Sequence, residues 1–359
     1  MTAIPFQHLI LLEPLGLLYG SSGRMLSPQA LTGRAAEHFP PDSPALAGLL
    51  AGQLESGSLR ELFTAGPFWF DSTSDQLMLP APLTLLQERD AEQKRQSRRR
   101  LAWREGDGAL SPAGWSPRDG EDPPRKAPTG GWVALAHWPR LIEDVAVPIH
   151  ENPWQALPHL HPRLRDDERV SDGDGALFLE YGIALKAGAC LAYLSSHQVP
   201  DGLYRFGGEG HLVELRSSPL PSELLRLLQL PLTPPFALIT PGLWGGPKLS
   251  LREPLDTTSR QGVHPWHRNG QPPGILTDKP RPWRHRLGAG TTRADGTQPG
   301  RRRLSRGRWA VPAGTCYLVT GEPLPPWAVW PESWFPREGF SFRQLGTALA
   351  LPLKAPPPG

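Results

Sequence analysis

The sequence predicts an α+β chain in two units, the first ferredoxin-like, with long loop insertions. Three observations predict this. Between residues 1 and 218 a strand, a helix, a strand hairpin and a last strand follow one another, which is most of a βαββαβ unit. A second start follows at Ser222, where a capped helix leads into new strands. Proline (44) and glycine (38) together supply 82 of the 359 residues, just short of a low-complexity composition, so the connections are long and irregular.

The elements come in this order. Residues 8–18, HLILLEPLGLL, read as a buried first strand with Pro14 at a bend or an edge. The loop from Tyr19 through Gly20, Ser21, Ser22 and Gly23 to Arg24 exposes backbone N–H groups and one guanidinium, which suits an ordinary turn or a phosphate contact. Ser43 is a suitable N-cap and Pro44 a suitable first helical residue. Ala45, Leu46, Leu49, Leu50 and Leu54 then form one apolar stripe, so residues 44–55 are expected to be helical. Two short strands are expected within 62–86, around a polar turn at Asp71 to Asp75. Leu85 to Arg104 is expected to be helical in part, and the rest of 88–131 to be a Pro/Gly-rich insertion. Trp132 to Ala136 reads as a strand, and residues 150–170 as irregular.

Residues 176–186 and 189–195 read as a hairpin turning at Gly188. The second helix of a ferredoxin-like unit is missing or very short between Ser196 and Gly202. Leu203 to Leu215, LYRFGGEGHLVEL, is a glycine-rich loop feeding an alternating strand from His211. Beyond it, Ser222 is expected to cap a helix over Glu223 to Gln229. Strands are expected at Phe236 to Thr240, within Val311 to Val319, and at Gly346 to Lys354. The division is thus 1–218, with an insertion over about 60–170, and 219–359, with a basic insertion over about 241–308.

No run of about 18 apolar residues predicts a membrane helix. The apolar N-terminal run has no basic lead and is broken by Glu13 and Pro14, so no signal peptide is expected. Cys190 and Cys316 lie too far apart in sequence to suggest a disulfide framework or a thiolate zinc site, and a reducing cytoplasm is expected.

The net charge of +3 is uneven. Eight arginines and one acid, Asp295, lie between Arg284 and Arg308, and a second cluster spans Lys94 to Arg100. Basic loops on an otherwise slightly acidic chain suit a polyanion or are simply solvated. Thirteen tryptophans include Trp266, Trp283 and Trp309, interleaved with Arg268, Arg281, Arg284, Arg286 and Arg308. Such a mixture stacks on unpaired bases, yet most of these indoles are expected to pin loops onto the core. Nucleophile elbows, metalloprotease helices, phosphate loops and dinucleotide fingerprints are all missing. His159 and His161 form an H-x-H pair near His150, but on a proline-broken loop they read as turn or surface histidines. No metal or cofactor is expected.

The ordered stretches LLEPL, FPPDSPALAGLLAG, GPFWF…LPAPLTLL, LHPRL…RV…DGALFLEYGIAL, RFGGEGHLVEL and RW-AVPAGTCYLV run across nearly the whole chain. In this the chain resembles the third subunits of the Cmr effector complex, RAMP-superfamily proteins of type III-B CRISPR systems. GGEGH with the preceding hairpin is the most specific part of the likeness. The resemblance implies two ferredoxin-like (RRM-like) RAMP domains, the second degenerate. It implies a subunit that caps the 5′ tag of the crRNA and docks onto the large polymerase-like subunit and a neighbouring RAMP backbone subunit, meeting target RNA only indirectly. It also implies a protruding thumb that kinks the guide, with 88–131, 256–308 and the 62–80 hairpin as candidates.

By position the resemblance places Gly207, Gly208, Glu209, Gly210 and His211 on RNA backbone, with Ser21, Ser22, Gly23, Arg24, His38 and Phe39 nearby; Arg205 is added as the arginine beside the loop. Where the family carries an acid-glycine-arginine run after the first strand, this chain reads GSSGR. The expected function is therefore non-catalytic crRNA binding for antiviral defence. The alternatives are a metal-independent RAMP endoribonuclease that processes CRISPR repeat RNA, and a scaffold that touches protein only. Glu209 is expected to hold the loop through N–H groups or Arg205.

Overall fold

The computed structural model describes residues 4–19, 39–55, 58–89, 95–106, 113–117, 130–162, 177–208, 210–246, 248–258, 262–287 and 303–355. Strand β1 (His8–Pro14) precedes helix α1 (Pro44–Ala51) and the antiparallel pair β2 (Thr64–Asp71) and β3 (Gln76–Pro80). The β2–β3 turn is closed by the Asp71 carboxylate, which accepts from the Thr73 N–H at 3.0 Å and the Ser74 hydroxyl at 2.8 Å. Strands β4 (Leu85–Arg89), β5 (Arg95–Arg104) and β6 (Gly114–Pro117) form a small sheet of their own. Strand β7 (Trp132–Ala134) leads into the short helix α2 (Trp138–Ile142). Strands β8 (Trp154–Pro162) and β9 (Leu177–Leu185) pair with each other as a separate ribbon. Strands β10 (Ala189–Ser195), β11 (Gly202–Phe206) and β12 (His211–Pro219) follow.

The main sheet has seven strands in the order β11-β12-β1-β10-β2-β3-β7, every neighbour antiparallel. Strand β10 is buried along its whole length because both faces are covered. Leu191 and Tyr193 share a core with Leu46, Leu49 and Leu50 of α1. Cys190, Ala192 and Leu194 belong to the larger core, which also holds residues from the second half of the chain such as Leu227, Phe236 and Leu351. That half opens with α3 (Ser222–Gln229), whose Leu224, Leu227 and Leu228 are buried on one side. Its sheet has strand Phe236–Leu238 between strands Cys316–Leu318 and Ala350–Pro352, with Gly274–Leu276 outermost. The fold is α+β, with strands outnumbering helices among the described residues. No helix among them is long and apolar enough to cross a membrane.

Several expectations are corrected. Residues 177–185 and 189–195 do not pair; β9 takes β8, and β10 takes β1 and β2. The stretch expected to be irregular therefore supplies a strand. Its prolines hide the signal, although Pro158 and Pro162 both sit in the ladder, opposite Tyr181 and Leu177. Leu85–Arg89 and Arg95–Arg104 are paired strands, not a helix, because pairing overrides the helix-favouring composition of Gln and Arg. Ser43 does not cap α1: its hydroxyl donates to the Leu345 carbonyl, and the helix ends at Ala51. Ser222 is the first residue of α3 rather than its cap. The 62–80 hairpin lies inside the main sheet, so it does not protrude as a thumb.

The two halves are joined closely at the end of β2. The Thr64 N–H donates to the Gln344 carbonyl at 2.8 Å and the Ser43 hydroxyl to the Leu345 carbonyl, while within the second half Thr240 Oγ1 donates to the Gly346 carbonyl at 2.6 Å. Gly346 has φ +61, and a Cβ there would collide with Ala65 and the Thr64 carbonyl. Both the backbone shape and the close approach require glycine. The segment before α1 is held from both sides: the buried Tyr193 hydroxyl donates to the Pro41 carbonyl at 2.6 Å, and Arg281 pairs with Asp42. Gly346→Ala is expected to lower unfolding free energy by about 2–4 kcal/mol, read from urea denaturation, whereas Gly48→Ala, in open space on α1, is neutral or slightly stabilising.

A candidate nucleic-acid interface at the glycine turn

The connection between β11 and β12 is a tight turn. Gly207 and Gly210 have φ +75 and +68, where an L side chain is strained, and the Gly210 N–H reaches back to the Gly207 carbonyl at 3.4 Å. Arg205 Nη1 donates to the Gly210 carbonyl at 3.3 Å, bracing the turn from β11. On the other side stands Arg286, from the basic insertion: a Cβ at Gly208 would lie 3.4 Å from its Nε. The bare backbone of Gly208 thus lets a guanidinium from the second half lie against a turn of the first. Two cations flank a short turn whose described residues are the bare glycines 207, 208 and 210, which is suited to a phosphate.

His211 opens β12. Its Nε2 accepts the Tyr19 N–H at 3.2 Å, and the two rings stack with centroids 5.4 Å apart. The Tyr19 hydroxyl shares a hydrogen bond of 2.8 Å with His159 Nδ1 on the ribbon. Tyr19 is placed by the neighbouring pairing of Leu18 with Ile183. The missing side chain of Gly182 makes room for Leu17, since a Cβ there would be 2.8 Å from it. Chain from three distant places therefore meets at one tyrosine. The ribbon is anchored at its base by Trp154, whose ring meets Phe39 at 5.1 Å and Trp132 at 5.8 Å, while Gln155, Ala156, Pro158, His159 and Leu160 are exposed.

Of the sequence-predicted residues, Arg205, Gly207, Gly208, Gly210 and His211 come together at this turn. Phe39 is half-buried against Trp154 and the core cluster that holds Phe206. Ser21, Ser22, Gly23, Arg24, His38 and Glu209 lie outside the described residues. Sequence reading named Tyr19 and Arg286 in separate loops but not their meeting with the glycine turn, because both contacts bridge distant parts of the chain.

The basic insertion is less available than its composition suggests. Arg284 Nε donates to the Ser305 carbonyl at 2.7 Å, and Arg268 donates to the carbonyls of Pro265 and His267. Arg308 is buried, donating to the Gly246 carbonyl at 2.8 Å, facing Glu338 at 3.6 Å and lying 5.0 Å over the Phe342 ring. Trp266 and Trp283 are buried, as expected of loop anchors, but Trp309 is 56% exposed. Arg286 itself is exposed. It is positioned by His285, whose N–H donates to Ser305 Oγ at 3.0 Å and whose ring packs on Trp283 and Phe342. Elsewhere, Glu253, His264 and His267 bring a carboxylate and two imidazoles together, the one group of metal-ligand type among the described residues.

Compared with known proteins, residues 29–322 match the family model of CRISPR-associated protein (Cas_Cmr3). No curated protein matches. Among solved structures, a chain of the type III-B Cmr-beta complex bound to cognate target RNA is similar with 12% identity and a TM-score of 0.43, covering 86% of each chain. A chain of the Csm1–Csm4 cassette in complex with pppApA has 12% identity and a TM-score of 0.33, covering 89% of this chain and 97% of that one.

Burial lowers the pKa of His285 to about 4, with Glu338 opposing and Arg308 adding to the shift. The unfolded chain takes up this proton below 6.5, the folded one only near 4, so stability is lost as pH falls through that window and levels off below it. His285→Phe is expected to flatten that part of the pH profile of the urea midpoint relative to the unaltered chain.

Proposed function

The chain belongs to the Cas_Cmr3 family of CRISPR-associated proteins, and from that premise we propose that it is a crRNA-binding subunit of a type III-B effector complex that acts by positioning rather than by catalysis. The observation that carries this reading is the glycine turn set between Arg205 and Arg286. The glycine backbone there admits close approach, and the two guanidiniums supply charge for a phosphodiester, while the partly exposed Tyr19 and His211 rings and the exposed His159 ring nearby suit unstacked bases. The 5′ tag of the guide is the RNA segment we assign to this surface. The ribbon β8–β9, tied to the turn through Tyr19 and His159, is the element we assign to the thumb.

The strand order β12-β1-β10-β2 is that of a ferredoxin-like sheet, which supports reading 1–218 as one RRM-like RAMP unit and 219–359 as a degenerate second. Docking to the large polymerase-like subunit and to a neighbouring RAMP subunit belongs to the same reading, with target RNA met only indirectly. Cys190 and Cys316 are buried and not joined in a disulfide, which suits a reducing compartment. The endoribonuclease reading is less well supported: His211 Nε2 accepts the Tyr19 N–H and His159 Nδ1 is bonded to the Tyr19 hydroxyl, so both imidazoles hold the loop in place.

In the assembled complex, filter binding is expected to retain tagged crRNA more tightly than untagged crRNA. Arg286→Ala is expected to weaken guide binding about 10-fold and to reduce the salt slope by about one. Equal affinity for the two RNAs, with no effect of Arg205→Ala or Arg286→Ala, would favour the scaffold reading instead.

A further inference from the structure

We propose that Glu253, His264 and His267 form a site for a divalent transition-metal ion, zinc by the chemistry of its donors, which cross-links the insertion of the second half. His267 Nε2 lies 2.7 Å and His264 Nδ1 3.5 Å from the same carboxylate oxygen, Glu253 Oε1. The ligand atoms of all three residues fall within 4.8 Å of one another. Around a tetrahedral zinc ion with bonds of about 2.0–2.1 Å, ligand atoms stand about 3.3 Å apart. The two imidazoles stack with centroids 4.5 Å and planes 17° apart, so one ring must turn about its Cβ–Cγ bond to bring its lone pair onto the shared ion.

A bare hydrogen bond from His267 to Glu253 accounts for Oε1 only. Glu253 Oε2 and His264 Nδ1 are both shielded from solvent and have no hydrogen-bond partner. A cation held by the imidazoles and by both oxygens of the Glu253 carboxylate satisfies both atoms at once, and it also neutralises a carboxylate that is only 14% exposed. Two imidazoles and one carboxylate favour zinc or a neighbouring first-row ion over magnesium or calcium, which prefer all-oxygen shells.

The donors stand on rigid supports. The His267 N–H reaches the His264 carbonyl at 3.1 Å, so both imidazoles come from one turn. Between them Trp266 is wholly buried, meeting Tyr317 at 4.9 Å, Trp244 and Trp330 at 5.4 Å, and Phe236 at 5.6 Å. Arg268 closes the turn through the Pro265 and His267 carbonyls. On the other arm the Tyr317 hydroxyl donates to the Arg252 carbonyl, fixing the backbone next to Glu253. A bound ion therefore staples the exit of strand Ser250–Leu251 to the turn at 264–267, across the excursion that includes the Asp256–Val263 bridge.

The test uses the full chain, freed of any affinity tag, stripped with a chelator and titrated with Zn²⁺ against a chromophoric competitor. We expect about one zinc ion per chain, a rise in the thermal midpoint on adding Zn²⁺ but not Mg²⁺, and loss of affinity by about 100-fold or more in Glu253→Gln and in His264→Gln/His267→Gln. Glu253→Gln keeps the shape of the side chain, so it reports on binding even where the double variant folds poorly. Failure of the unaltered chain to bind zinc against the competitor would overturn the proposal. So would equal affinity in the unaltered chain and Glu253→Gln, which would place the ion elsewhere.

Discussion

The structure depends on one strand having two insides. All seven residues of β10 are buried, and the alternation of its side chains divides them between a helix-covered core and a core shared with the second half. A half-buried strand needs one apolar face; β10 needs two, and it needs strands on both edges to satisfy its backbone. Those edges are β1 and β2, which come from much earlier in the chain. Once β10 is so enclosed, α1 must lie on one side and the sheet around Phe236 on the other. The glycine turn then hangs at the far edge of the same sheet, on the β11–β12 pair.

What the sequence made legible follows from local chemistry. Alternation marked the strand from His211, the glycines at 207 and 210 marked a turn with φ > 0, and the apolar stripe marked α1. Long-range pairing was not legible. A glycine at 188 between two apolar runs reads as a hairpin, yet burial of β10 required distant partners, and β9 found its own among prolines. Helix-favouring Gln and Arg hid β5, whose backbone is committed to β4 and β6. The metal-type cluster was equally hidden. His264 and His267 form a short turn motif without a helix, and Glu253 joins them only because Trp266 is drawn into an aromatic core.

Charge was legible in amount but not in use. The arginines of the insertion looked like one cationic surface, whereas Arg268, Arg284 and Arg308 are donors to carbonyls of their own fold. An Arg–carbonyl bond satisfies a loop that has no regular ladder, which explains why a Pro/Gly-rich insertion carries so many guanidiniums. Arg286 differs because its neighbour His285 is the buried partner of the pair. The short ladder between Arg286–Leu287 and Arg303–Leu304 alternates inside and outside, sending the imidazole inward and the guanidinium toward the turn.

The close seat of Gly346 on Ala65 also governs how the chain matures during synthesis. The sheet edge around Thr64 and Ala65 emerges from the ribosome some 280 residues before the glycine that covers it. Until then, the face bearing Phe68, Ala192 and Leu194 has no lid from the second half. The glycine turn likewise stands without Arg286. The meeting of Arg286 with the glycine turn is therefore a late event, as is closure of the core, and an incomplete chain presents an uncovered apolar sheet face.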